Sequence, residues 1–331
     1  MIKTTVVGSY PTPLWLRIHS TQESLRDAIV VVLQAQERAG IDVVADGELY
    51  RWDINHAETN GMIDFFVRPL ENIRRDLNYD ELRAWRANQQ MKFRAAPPGI
   101  VTGPVGAGLL DLSGNYALFR NLTEKPKKFT VTSPYMLAKT LVNKHYPDTE
   151  SLMMALADIL REQLADVDAD VVQVDEANVT GHAEDCLMAA RGINRVLEGV
   201  RGEKAVHLCY GNYGGQTIQE GAYARLLPLL NALEADHVVL EMARRDAADL
   251  SALKEVRPEL GLGIGVIDIK DNEVESPDCV ARRIDAAAKT LGVERIRYVH
   301  PDCGFWMLPR PVSDAKMRAL VEGRNRFAGT A

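Results

Sequence analysis

Short β-branched runs alternate with helix-length amphipathic segments along most of the chain, and no other feature restricts its fold as much. The runs are TTVVG (4–8), DVVAD (42–46), GIVTG (99–103), KFTVT (128–132), DVVQVDE (170–176), AVHLCY (205–210), HVVLEM (237–242), GIGVIDI (263–269) and RIRYVH (295–300). Between most of them, residues 22–38, 149–166, 182–199, 218–233, 278–291 and 312–327 keep apolar side chains at helical spacing. In SPDCVARRI, Ser276 suits a helix cap and Pro277 the first helical turn. Successive strand–helix units imply a parallel sheet, and runs apolar on both faces imply strands covered on both sides. With no dinucleotide-type glycine fingerprint, the expected architecture is α/β, a single (βα)8 TIM-type barrel, for which 331 residues is an ordinary size. Eight strands close such a barrel, so one of the nine runs is surplus. GIVTG is assigned to an excursion over residues 49–127, after the second strand, whose ENIRRDLNYDELRAWRANQQMKFR stretch is polar and rich in arginine. No linker or internal repeat is visible, and residues 1–331 read as one domain.

In a barrel of this type, chemistry gathers at the C-terminal ends of the strands. Gly8 and Ser9 close the first run, and Asp46, Gly47 and Glu48 the second. Asp175 and Glu176 follow VVQV, Glu241 ends VVLE, Asp268 and Lys270 end VIDIK, and His300, Asp302 and Cys303 end VHPDC. His207 and Cys209 sit in VHLC. Residues i and i+2 of a strand share a face, so this pair points together into the barrel mouth. Two readings are open: a buried core pair, or two ligands of a metal. Glu241 on the next strand and Cys303 at a later strand end would complete a tetrahedral set of the kind zinc favours. A barrel rim needs polar residues to meet water, but it does not need two cysteines and a histidine among carboxylates.

The formal net charge of −7 leaves no basic footprint, so no nucleic-acid partner is expected. No apolar run reaches the length of a membrane span. MIKTTVVGSYPTP lacks the long apolar segment of a signal peptide, and a cytoplasmic location is expected. Cys186, Cys209, Cys279 and Cys303 are too few and too scattered for a disulfide framework, which leaves free thiols or metal ligands.

Taken in order, TTVVGSYP, ADGELYRWDI, VVQVDEANV, HLCYGNY, VVLEMAR and VHPDCGF resemble motifs of the C-terminal catalytic barrel of the cobalamin-independent methionine synthase family. The similarity runs over nearly the whole chain. Members of that family are zinc enzymes that methylate the thiol of homocysteine. The resemblance implies Zn2+ held by His207, Cys209, Glu241 and Cys303. It also implies homocysteine held by Ser9 at its carboxylate and by Glu48 and Asp175 at its ammonium. The chemistry is coherent. Zinc binding deprotonates a thiol, and three anionic ligands keep the bound sulfur electron-rich. Two carboxylates suit an ammonium, and a Gly-Ser turn offers donors to a carboxylate.

There are departures. The long members of the family have two barrels, and this chain resembles only the C-terminal one. Their folate-packing tryptophan falls near Thr140 in TVTSPYMLAKTL, and their proton-donating histidine falls on Lys270 in VIDIKDNEVESP. Single-barrel relatives are similar in having lysine there. Some of these take methyl groups from corrinoids, and others join a thiol such as coenzyme M to an epoxide. The expected function is a zinc-dependent methyltransferase forming methionine from homocysteine. Its donor partner would be methylcobalamin, a corrinoid protein or another non-polyglutamate compound, with Lys270 a candidate catalytic residue. The alternatives are an epoxide-to-thiol transferase and a zinc or thiol carrier without catalysis. Cys186 and Cys279 are expected to be buried, inert thiols, GNYGG a loop, and His300 a supporting residue. Trp15, Trp52 and Trp85 lie on segments long enough to reach the mouth, and ordinary aromatic packing is the expected role for them.

Overall fold

The computed structural model describes residues 1–51, 61–87, 94–211 and 219–330. Among these lie strands β1 (Lys3–Thr4), β2 (Val44–Ala45), β3 (Glu71–Arg74), β4 (Ile100–Gly106), β5 (Lys127–Thr132) and β6 (Val142–Asn143). They are followed by β7 (Val171–Glu176), β8 (Glu203–Leu208), β9 (His237–Leu240), β10 (Gly261–Ile267) and β11 (Ile296–Pro301). Eight of them form one parallel sheet in the order β1-β11-β10-β9-β8-β7-β5-β2. A parallel bridge between Thr5 and Val43 joins the two ends, so the sheet returns on itself as the expected TIM-type barrel.

Helices fill the crossovers, and local chemistry sets their ends. Thr21 Oγ1 accepts from the Ser24 N–H at 3.0 Å to open the helix Gln22–Ala39, and Gly40, at φ 84°, closes it. Ser276 caps Pro277–Leu291 as its sequence implies, accepting from the Cys279 N–H at 3.2 Å. Two expected helices are shorter than their periodicity suggests. The helix expected over 182–199 begins at Cys186, after 3-10 turns at Val179–Gly181 and Ala183–Asp185. Glu176 Oε1 accepts from the N–H groups of Asn178 and Val179 at 2.6 and 2.9 Å, which turns the chain tightly as it leaves β7. The helix expected over 218–233 is a 3-10 turn, Tyr223–Leu226, followed by Leu227–Ala232. Pro228 has no N–H with which to continue an α-helix backwards.

The excursion carries β3, β4 and the helices Asp64–Val67, Tyr79–Ala87 and Leu112–Ala117. GIVTG falls on β4, outside the barrel, as assigned. β4 pairs antiparallel with β3 and parallel with β6. The small sheet thus takes its third strand from beyond residue 127, after β5. Trp85 is buried within the excursion, in the ordinary packing expected of it. Trp52 and residues 212–218, which include all of the GNYGG segment (211–215) but its first glycine, lie outside the described residues. Cys186 is buried as expected, but Cys279, in the first turn of its helix, is only half-buried.

Inside the barrel, Val7, Val43, Val171, Ala205, Val239 and Tyr298 form one apolar cluster. A larger cluster fills the space between sheet and helices. Buried polar side chains, among them Lys128, Gln173, Asp175, His207 and His300, share the barrel interior with the small cluster. Among the described residues no helix is long and apolar enough to cross a membrane.

Candidate active site

A cavity of about 870 Å³ opens at the C-terminal ends of the strands, lined by Ser9, Glu48, Asp175, His207, Cys209 and Cys303 among others. The metal-binding atoms of His207, Cys209 and Cys303 all lie within 4.8 Å of one another. His207 Nδ1 is 2.9 Å from the Val239 carbonyl on the neighbouring strand. A carbonyl only accepts, so Nδ1 carries a proton and Nε2 is the nitrogen left for a ligand. That Nε2 is buried and has no hydrogen-bond partner. Burial pulls the imidazole towards its neutral form, but the Cys303 sulfur and the Asp175 carboxylate beside it outweigh this and raise its pKa above the ordinary histidine value. The sulfurs of Cys209 and Cys303 lie side by side and compete for protons. Cys303 is held towards thiolate, and Cys209 is held as thiol. An unpartnered imidazole nitrogen beside two such sulfurs fits a borderline-soft divalent cation.

Glu241 and Lys270 lie differently from the sequence expectation. Glu241 is outside the His-Cys-Cys group, and neither residue lines the cavity. The Lys270 ammonium donates to Glu241 Oε1, and the Tyr210 N–H donates to Oε2 at 3.2 Å. Both side chains of the ion pair are almost fully buried. The physical reason is charge: a buried carboxylate needs a neutralising partner, and the Lys270 ammonium supplies it. The pair sits in a braced corner. Tyr223 Oη donates to the Glu241 carbonyl at 3.0 Å, and the Arg245 guanidinium lies 3.9 Å over the Tyr210 ring. Asp302, next to Cys303, accepts from the N–H groups of Met242 and Ala243 at 2.9 Å each, tying the loop after β9 to the end of β11.

Glu48 occupies the left-handed region at φ 59°, an uncommon place for a glutamate. Three contacts hold it there. Its N–H donates to Asp46 Oδ1 at 2.8 Å, Thr130 Oγ1 donates to its Oε1 at 2.6 Å, and Arg51 Nη1 is 3.1 Å from its Oε2. The carboxylate rests against Gly8, where a Cβ would come within 2.2 Å of Oε1. Asp175 is next to His207 in the register of β7 and β8. Burial raises its carboxyl above the usual range; His207 opposes this and Glu48 adds to it. Ser9 packs against Gly304, and its carbonyl accepts from the Phe305 N–H at 2.9 Å, so the ends of β1 and β11 meet beside Cys303.

Residues 2–325 match the profile described as cobalamin-independent synthase, catalytic domain. The chain belongs to this family. Membership makes it a methyltransferase in general kind. The methionine synthases of Thermococcus kodakarensis and Sulfurisphaera tokodaii are 30% and 28% identical to it. Each alignment covers 98% of this chain, and 92% and 91% of those proteins respectively. The structure of a B12-independent methionine synthase from Shewanella sp. W3-18-1, in complex with selenomethionine, superposes with a TM-score of 0.83 at 24% identity. It covers 99% of this chain and 98% of that one, and the likeness bears on the fold alone.

In this member of the cobalamin-independent synthase family, sequence reasoning missed the residues beneath the carboxylates. Arg51 is buried, and its Nη2 donates to the Thr130 carbonyl and hydroxyl at 2.6 and 2.8 Å. Lys128 and Gln173 are buried inside the barrel. The signal was a lysine and a glutamine at inward positions of otherwise apolar strands. His300 is fully buried, and its Nδ1 is 2.8 Å from the Pro301 carbonyl, in keeping with a supporting role. Trp15 lines the cavity rather than only packing against neighbours, and Trp306, not singled out from the sequence, lines it too.

Proposed function

We propose that the protein is a zinc-dependent methyltransferase that forms methionine from homocysteine. Its methyl group would come from a methyl-corrinoid or another non-polyglutamate donor. Residues 1–331 would act as one catalytic domain in the cytoplasm, where cysteinyl ligands stay reduced. One observation carries the reading: an imidazole nitrogen with no hydrogen-bond partner and two cysteine sulfurs open on the same cavity as two carboxylates. His207, Cys209 and Cys303 would hold the zinc, with Glu241 as fourth ligand. When bound, zinc supplies deprotonation of a substrate thiol at neutral pH and a fixed place for its sulfur.

The chain's own residues do the rest. Glu48 and Asp175 receive the substrate ammonium, and this incoming cation relieves the electrostatic cost of a buried Asp175 carboxylate. Ser9 donates to the substrate carboxylate. Lys270 holds Glu241 by charge, which makes it a positioning residue for the metal ligand. A sulfonate thiol without an amine gains nothing from two carboxylates, so epoxide transfer to coenzyme M is the poorer fit.

The test is to incubate the zinc-loaded protein with homocysteine and methylcobalamin and to assay methionine. Methionine formation that disappears on chelation and returns with zinc is expected. A zinc-loaded protein that neither binds nor methylates homocysteine would sink the proposal.

A further inference from the structure

Beneath the two cavity-facing carboxylates, a lysine lies wholly inside the barrel. Lys128, on β5, is 1% exposed. Its Nζ donates to the Val6 carbonyl at 2.9 Å and to Gln173 Oε1 at 2.8 Å. Gln173, on β7 and also fully buried, donates onward through Nε2 to Asp175 Oδ1 at 2.7 Å and to the Val7 carbonyl at 2.9 Å. Both ends of the amide are engaged.

The direction of this chain of bonds is decided at its lower end. A glutamine amide fits its pocket equally well turned over, with oxygen and nitrogen exchanged. Turned over here, Gln173 would face the Asp175 carboxylate with a lone pair and the Lys128 ammonium with N–H groups, and both contacts would be repulsive. An ammonium has donors and no acceptor, so Lys128 admits only the oxygen. The cation at one end, together with the Val7 carbonyl beside the other, therefore selects an N–H for the carboxylate. Keeping that cation inside the barrel is unfavourable. Burial draws the Lys128 amine down to about 7, and an apolar side chain of similar shape would fill the same space without a charge to desolvate.

We propose that Lys128, acting through Gln173, is a positioning residue that fixes the orientation of Asp175 for recognition of the substrate's ammonium group. The proposal rests on the homocysteine reading given above. Lys128 touches neither substrate nor metal ligands. It acts on amine recognition and leaves thiol binding alone.

The experiment measures binding to the zinc-loaded protein by calorimetry, with homocysteine and with 4-mercaptobutanoate, which has the same thiol and carboxylate and no amine. The wild type is expected to prefer homocysteine. Lys128→Met and Gln173→Leu should each lower that preference by about tenfold, the loss of one charge-assisted bond, while 4-mercaptobutanoate binding stays within about twofold. The double variant should lose no more than either single variant, because the two residues act in series. Gln173→Glu provides an independent arm should Lys128→Met fail to fold. It keeps an acceptor for Lys128 but has no N–H for Asp175, and the preference should still fall. An undiminished preference in Lys128→Met or Gln173→Glu overturns the proposal. So does an equal loss for both thiols, or losses that multiply in the double variant. A wild type that binds both thiols alike overturns the ammonium reading itself, and the proposal with it.

Discussion

A ring nitrogen serves a cation only if its lone pair is free, and at His207 the Val239 carbonyl settles which nitrogen that is. The sequence made half of this legible. Period-two spacing puts His207 and Cys209 on one face, and the motif order adds Cys303. It did not show Lys270 on Glu241, because a contact across 29 residues leaves no local periodicity to read. This pairing ranks the ligands. Cys209→Ser and Cys303→Ser are expected to lose most of their zinc with the fold retained, whereas Glu241→Gln should lose less. Glu241 stands off the three-residue group, and catalytic zinc sites commonly hold the metal on three protein ligands. Metal analysis of the purified variants decides it, and full zinc content in both cysteine variants would remove the assignment. On the acceptor side, Asp175→Asn should weaken homocysteine binding by about 10- to 150-fold, corresponding to roughly 1.5–3 kcal/mol for a hydrogen bond to a charged group. Binding of a plain alkyl thiol should hardly change. Equal weakening of both would place the ammonium elsewhere.

Among the elements, the turn after β2 has the clearest pH signature. Its Asp46–Gly47–Glu48 stretch has two successive left-handed residues, and the buried Asp46 accepts the Glu48 N–H that holds the second one. Burial pushes Asp46 up to about 6, against the opposing pull of that N–H and of Arg51. The folded value is thus above the ordinary 3.8. Between the two, the native state binds more protons than the unfolded chain, so stability falls as pH rises through this window and the full cost is present above about 6. Asp46→Asn keeps an acceptor oxygen and carries no charge. It should stabilise the fold at pH 7.5 by about 1–3 kcal/mol and by much less at pH 4. Thermal unfolding at the two pH values checks this; an equal shift at both, or a loss at pH 7.5, contradicts it. Elements with their own chemical punctuation were readable in advance, such as the helix capped by Ser276 and the strand pairing His207 with Cys209. The left-handed turn at Glu48, the 3-10 turns after Glu176 and the pairing of β6 with β4 were not. Each depends on a contact with a neighbour that local spacing does not encode.

At the scale of the whole molecule, barrel closure was legible because eight of the nine apolar runs repeat one strand–helix pattern, while the second half of the reaction was not. The barrel places Ser9, Glu48, Asp175, His207, Cys209 and Cys303 around one cavity, yet two positions that would serve a folate donor hold other residues. Thr140, near the position of the folate-packing tryptophan, is buried and spends its hydroxyl on the Leu137 carbonyl at 2.9 Å. Lys270, at the position of the proton donor, is turned away from the cavity onto Glu241. Transfer of a methyl group from a tertiary amine such as methyl-tetrahydrofolate needs that nitrogen protonated, because the free amide-like leaving group is too basic. A lysine ammonium is a weaker acid than an imidazolium by about four pKa units, and one committed to a carboxylate is a poorer donor still. A methyl-corrinoid needs no such proton, since reduced cobalt leaves unassisted. Methionine formation from methylcobalamin should therefore exceed that from methyl-tetrahydrofolate polyglutamate by more than about tenfold at matched concentration. Lys270→His should not restore folate use, because the imidazole would lack both the reach to the cavity and the charge that holds Glu241. Comparing the two donors with both proteins separates the cases. Fast folate turnover by the wild type would refute the argument, and folate turnover gained only in Lys270→His would show that the proton donor alone, and not the missing folate face, sets the choice of donor.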